Sequence, residues 1–242
     1  MTRRASLALL LAVVVAIASC NGVRVTYTFD DEFNGTTVSS LWGDHWGPFG
    51  GDGNTWSRSQ STVAIGVLTI AAQRAGSAWV SDAFDTWATW RQKYGYFEAR
   101  IRIQKGRGLW PAFWLAQGSE VSGPAEIDVM EVCANQLGTN GGNDASVLHT
   151  SVHFSGGGSL THDTRTPDLS SDWHVYAMDW RADHISFLLD GAEVWRVTDP
   201  AHIPAVAMPL ILDLAVGGSC GAADDSTPDP ALMQVDWVRV SP

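Results

Sequence analysis

Three carboxylates stand in one short apolar run, Ala125-Glu126-Ile127-Asp128-Val129-Met130-Glu131-Val132. Glu126 and Asp128 are two residues apart, so on a β-strand they point to the same face. Glu131 lies three beyond Asp128 and in a regular strand would point the other way. One extra residue at Val129-Met130 makes a β-bulge, which adds a residue without adding a pleat and swings Glu131 back beside the other two. A row of acids cannot sit in a core without partners, so their face must be a groove, with Ile127 and Val129 turned inward. Two carboxyl groups about 5 Å apart, one ionised and one protonated, form the double-displacement device of retaining glycoside hydrolysis. Repulsion between them separates their pKa values and so assigns the roles of nucleophile and acid. Asp128, between them, can hydrogen-bond the nucleophile. The competing readings of the run are an exposed acidic strand face and a calcium cluster.

Short strands must carry this run, because the rest of the chain reads as strands separated by turn residues. Phe97, Ala99, Ile101 and Ile103 alternate with Glu98, Arg100 and Arg102 in 95–103, the period of a half-buried strand. Other strand-like segments are 23–29, 63–72 with Gly66 as a turn, 109–116, 147–154, 173–180, 184–197, 209–218 and 233–240. Asp190-Gly191 marks a hairpin turn inside 184–197. Residues 155–168, rich in glycine and serine, read as a loop. No long segment has helical period. Many short strands at this spacing predict an all-β, two-sheet sandwich, and 242 residues favour one large jelly roll whose terminal strands pair.

The first residues have another purpose. Arg3 and Arg4 precede the uncharged run ASLALLLAVVVAIA, too short to span a bilayer and typical of an export signal. Ile17-Ala18-Ser19-Cys20 resembles a bacterial lipobox, which makes 1–19 a signal peptide, Cys20 a lipidated mature N-terminus, and 20–242 a single catalytic domain; ordinary cleavage near Ala18 is the alternative. The expected location is therefore outside the cell, lipid-anchored or free. Loss of 1–19 removes two arginines and no acid, leaving 13 basic against 26 acidic residues and a net charge of −13. Such a balance disfavours nucleic acid and anionic membrane surfaces and suits a neutral ligand. Cys133 and Cys220 are left, either as a disulfide or as two separate buried thiols. Twelve tryptophans are more than a core needs, and they offer flat apolar platforms of the kind pyranose rings stack on.

The run EIDVMEV resembles the bulged active-site strand of glycoside hydrolase family 16. FDDEFNG (29–35), YGYFEARIRI (94–103), GLWPAFWL (108–115), WHVYAMDWRADHISFLLDG (173–191) and VDWVRV (235–240) are similar to successive blocks of that family, in order. The resemblance implies a jelly roll of the concanavalin A type whose concave sheet forms a substrate cleft. It makes Glu126 the nucleophile, Asp128 the assisting acid and Glu131 the general acid/base. It places Trp110 and Trp114 on the cleft wall, four residues apart on one strand face and so fit for sugar stacking. It gives His153 the place of a cleft histidine, a part His149 on the same face could also play. Asn54 and Trp56 fall in a loop that borders further sugar subsites. Relatives hold a structural calcium ion at positions matching Glu32, Gly66 and Asp236, whose oxygen donors suit it; ordinary surface acids are the alternative reading. No cofactor is implied for catalysis.

One position departs from the family pattern: Asp213, where relatives usually carry Asn, on a strand that crosses near the cleft. The bulged spacing argues against the xyloglucan and lichenase branches, and the negative charge against sulfated galactans. The expected activity is endo-hydrolysis of β-1,3-glucan, with or without β-1,4 links, by a monomer. A cell-wall galactan, a transglycosylase, and a non-catalytic sugar-binding module on the same sandwich are the alternatives.

Overall fold

Phe97, Ala99, Ile101 and Ile103 are buried, while Glu98, Arg100 and Arg102 between them lie at or near the surface. That strand is the spine of the larger of two sheets. The computed structural model describes residues 25–44, 54–118, 124–138 and 142–242. The signal segment and Cys20 lie outside the described residues. In chain order the strands are β1 (Phe29–Asp31), β2 (Gly43–Asp44), β3 (Thr55–Trp56), β4 (Ser61–Ala64), β5 (Val67–Ala75) and β6 (Ala78–Ser81). They continue as β7 (Ala83–Asp85), β8 (Gly95–Ile103), β9 (Leu109–Ala116), β10 (Glu126–Glu131), β11 (Val147–His153) and β12 (Ser159–Arg165). The last five are β13 (His174–Trp180), β14 (Ile185–Leu189), β15 (Ala192–Val197), β16 (Leu210–Val216) and β17 (Ala231–Ser241).

The larger sheet runs β15-β14-β13-β8-β17-β5-β6-β3, with β1 also on β17 and β4 also on β5. The smaller runs β12-β11-β10-β9-β16-β7-β2. Inward residues of both, among them Phe113, Leu115, Ile127 and Leu212 from the smaller and Tyr176, Met178, Trp180 and Val235 from the larger, form one continuous core. The buried Phe, Leu, Ile, Val and Met side chains among them contribute roughly 1.5–3 kcal/mol each on burial. The sandwich is the predicted one, and β1 pairs with β17 as expected of the chain ends.

Several local expectations are met and several corrected. Ile65 and Gly66 both have positive φ and turn β4 into β5, so 63–72 is parts of two strands; the Asp190-Gly191 turn likewise joins β14 to β15. Among the described residues the first strand begins at Phe29, at the end of the expected 23–29, whose residues 23 and 24 lie outside the described residues. The stretch read as a loop after β11 instead contains β12, a seven-residue strand paired along the whole of β11. Its outward Ser159, Thr161, Asp163 and Arg165 are polar because an edge strand faces solvent. Among the described residues the helices are single 3-10 turns, and none is long and apolar enough to cross a membrane.

Candidate active site

The bulge is present in β10. Asp128 lies opposite Trp114 of β9, but Phe113 is opposite Met130, so one residue of β10 has no partner; the pairing with β11 also slips between Asp128 and Glu131. Ile127, Val129 and Met130 are all buried, two of them consecutive. Glu126, Asp128 and Glu131 consequently line one depression of about 190 Å³ on the outer face of the smaller sheet. Its walls are Trp56, Trp110 and Trp114. Ala112 and Ala215 contribute only methyl groups there, which leaves the depression open.

Neighbouring strands hold the acids in place. The Trp110 Nε1–H donates to Glu131 Oε1 at 2.8 Å, and the Trp114 Nε1–H to Asp213 Oδ1 at 2.8 Å. His153, at the end of β11, pairs directly opposite Glu126 of β10, with Nε2 at 3.2 Å from Asp128 Oδ2 and 3.6 Å from Glu126 Oε1. Asp128 is 3% exposed. Burial pushes its carboxyl up to about 8 against the pull of His153, while Glu131 and Glu126 add to the rise. Burial also raises Glu131, opposed by the Trp110 bond and reinforced by the charge of Glu126. Glu126 is raised by burial too, but His153 and a hydrogen bond with Asp128 pull it back. His153 is raised chiefly by its bond to Asp128. At neutral pH this favours a protonated Asp128 donating to Glu126, while Glu131, further along the same strand, is pushed toward its protonated form. One attacking carboxylate and one available proton are what glycosyl transfer needs.

A sequence profile of the glycosyl hydrolases family 16 matches residues 52–239. The chain belongs to this family. An endo-1,3-1,4-β-glycanase, EglC, of Rhizobium meliloti (strain 1021) is 30% identical over 251 aligned positions, covering 89% of this chain and 51% of that protein. The chain thus spans about half the length of that curated relative. A β-glucanase of Rhodothermus marinus is 34% identical over 204 positions, 74% of this chain and 68% of that one. Among solved structures, the laminarinase of Rhodothermus marinus superposes with a TM-score of 0.77 at 28% identity, covering 90% of this chain and 97% of that one.

Within this family 16 chain the predicted site residues fare differently. Glu126, Asp128, Glu131, Trp56, Trp110 and Trp114 meet at the depression, and His153 touches its acids. His149, the alternative histidine, is engaged elsewhere, with Nδ1 at 2.7 Å from Asp163 and Nε2 at 2.5 Å from Asn143. Asn54 is corrected: it is buried, its Nδ2–H donates to the Val216 carbonyl and its Oδ1 accepts from the Trp79 N–H. Its amide braces backbone beneath the cleft, so it is not presented to a sugar. Asp213, noted only as a departure, proves to be a wall residue that orients Trp114. The signal was available, since Asp213 alternates with inward Leu212 and Leu214.

The set implied for calcium fits poorly. Gly66 does lie beside Glu32, a Cβ built there falling 3.8 Å from the Glu32 carbonyl oxygen. However, the Glu32 carboxylate accepts from Arg239 at 2.6 Å and Asp236 from Arg100 at 2.6 Å. Each carboxylate already has a guanidinium partner, which a cation would have to displace. Glu126, Asp128 and His153 also offer three donor atoms within 4.8 Å of one another. The hydrogen bonds among these three account for that closeness without an ion.

Proposed function

We propose that this chain is a retaining endo-glycosidase that hydrolyses internal β-1,3 linkages of glucans, including mixed β-1,3/1,4 chains, by double displacement. The observation that carries the reading is the bulge in β10, which brings Glu126, Asp128 and Glu131 to one tryptophan-walled depression. A Glu126 carboxylate oxygen attacks the anomeric carbon while Glu131 gives its proton to the departing glycosidic oxygen. The glycosyl ester on Glu126 is then attacked by water, whose proton returns to Glu131, and Glu126 leaves as carboxylate. Asp128 donates to Glu126, fixing the attacking oxygen and easing its charge when the ester breaks. Trp110 and Trp114 stack on sugar rings. The glucanase and laminarinase names of the relatives support the choice of β-glucan.

Export belongs to the same proposal: residues 1–19 serve as leader and Cys20 as lipid anchor. The Cys133–Cys220 disulfide supports it, since such bonds persist in oxidising compartments.

The test is reducing-end release from laminarin, barley mixed-linkage glucan and a β-galactan, beside the Glu126→Gln form and with EDTA present. Laminarin should be cleaved by wild type with or without EDTA. Glu126→Gln should lower kcat by about 10⁴-fold or more at unchanged Tm. Cleavage of the galactan alone would move the substrate, and laminarin bound but uncut would sink the hydrolase reading for these polymers.

A further inference from the structure

We propose that the Cys133–Cys220 disulfide is a positioning clasp for the Glu131 carboxyl, acting through the turn at Gly218 and the ring of Trp110. The proposal rests on the reading of Glu131 as acid/base.

Cys133 comes two residues after Glu131, just past the end of β10. Cys220 ends the 3-10 turn Gly218–Cys220 that follows β16. The covalent link therefore joins the ends of two strands that are not neighbours, with β9 between them. The start of β9 is gripped from both sides. Gly217 N–H donates to the Gly108 carbonyl at 2.8 Å, and Ala134 N–H to the Leu109 carbonyl at 2.9 Å. Asn135 completes the knot, its Oδ1 accepting from Gly108 N–H at 3.0 Å and its Nδ2–H donating to the Cys220 carbonyl at 3.2 Å.

The next residue along β9 is Trp110. Its ring is pressed against Gly218 so closely that a Cβ there would stand 2.7 Å from ring carbon Cζ3, and Gly218 has φ +59°, a region where side chains are strained. The turn thus forms a backstop for the indole, and the indole N–H holds Glu131 at 2.8 Å. A crosslink anywhere closing 87 residues would stabilise the fold. This one also has both ends on the parts that aim a single carboxyl: Cys133 on the strand of Glu131, Cys220 on the backstop of Trp110. Open it, and backstop and strand end are free to move apart, so the ring and the acid lose their common reference.

Proton transfer is what should suffer. A glycosidic oxygen is a poor leaving group without a proton, and an aimed acid contributes about 10²–10⁴-fold. A dinitrophenolate leaves without one, and azide attacks the glycosyl ester without a base.

The experiment compares the full chain with Cys133→Ala/Cys220→Ala and with Gly218→Ala, which keeps the disulfide but sets a methyl group against Trp110. Substrates are laminarin, and 2,4-dinitrophenyl β-laminaribioside in azide. In parallel, the Glu131 carboxyl is titrated by ¹³C NMR, assigned against Glu131→Gln. Both variants should lose about 10- to 100-fold in kcat on laminarin and less than about twofold on the dinitrophenyl glycoside. The Glu131 titration should move up in both, because the Trp110 bond that pulls it down is weakened. Equal losses on the two substrates would mean general damage and overturn the clasp, as would unchanged rates with an unchanged titration. Gly218→Ala carries the test if the cysteine variant does not fold. Failure of wild type on laminarin would overturn the functional reading, while the titration still decides whether the clasp holds Glu131.

Discussion

In β10 the register slips between Asp128 and Glu131 and the additional residue goes inward, leaving Val129 and Met130 consecutive and both buried. In β17 the register slips between Val235 and Trp237 and the additional residue goes outward, leaving Asp236 and Trp237 consecutive and both partly exposed. Each bulge presents a carboxylate, but the surroundings differ. Asp236 meets Arg100 at 2.6 Å, and Arg239 lies 4.3 Å over the Trp237 ring. The outward bulge thus sits among cations that satisfy it. The inward bulge gathers three acids with one histidine, and every one of the three is pushed toward its protonated form. A bulge re-aims a side chain. Whether the result is a structural contact or a reactive one depends on how far the re-aimed charge is compensated.

The sharpest way to break this contrast is to neutralise one carboxylate at each bulge. Glu131→Gln should lower kcat on laminarin by about 10²–10⁴-fold, since it removes the proton donor. Asp236→Asn should leave kcat unchanged within about twofold, because Asp236 and its partner Arg100 both lie on the larger sheet, whereas the β10 acids lie on the smaller. Turnover assays on the two purified variants settle it. Comparable losses would mean the two bulges are not functionally distinct.

Both bulges were visible as an interval of three in a strand of period two: Asp128 to Glu131 among the acids, Val235 to Val238 among the apolar residues. Only the first stands out in the sequence, because charges interrupt an apolar run there, whereas a valine spacing interrupts nothing. β8 and β9 were legible to the residue, since alternation and flanking glycines mark them. β6 and β7 were missed because Ser81 to Asp85 is buried without alternating, so periodicity has nothing to report. β12 was hidden by serine and threonine, which an edge strand tolerates and a loop prefers. Asn54 was misplaced because its amide is spent on backbone from Val216 and Trp79, contacts distant in sequence. The cysteine pair was open for the same reason: only the strand order brings the ends of β10 and β16 within one bond.

A second, smaller effect tests whether the β10 acids are held at a cost. Asp128 ionises near its ordinary 3.8 in the unfolded chain and at about 8 in the folded one. Between those pH values the folded state binds the extra proton, so this group lowers stability as pH rises from about 4 to about 8. Asp128→Asn cannot ionise and escapes that loss. Its Tm at pH 7 should exceed wild type by a few degrees, about 2–4 °C per kcal/mol, and the gain should disappear near pH 4. Activity should fall, because the amide cannot share a proton with Glu126 as the acid does. Calorimetry across pH reads the effect. A Tm that falls on substitution at pH 7 would mean that Asp128 is ionised and fully paired with His153.

The smallest effect lies at the outward bulge. Arg100 and Asp236 have side chains 37% and 32% exposed, so water screens their attraction and the pair should contribute no more than about 1 kcal/mol. Arg100 also holds its guanidinium 4.9 Å over the Trp173 ring. Arg100→Met keeps an unbranched apolar side chain and removes the guanidinium from both Asp236 and the Trp173 ring. Denaturant unfolding should show a loss under about 1 kcal/mol that shrinks in 1 M salt, where the Debye length falls to about 3 Å. Laminarin turnover should be unaltered. A larger, salt-insensitive loss would mean that Asp236 is desolvated like the acids of β10, and the difference between the two bulges would then lie in their partners alone, not in their exposure to water.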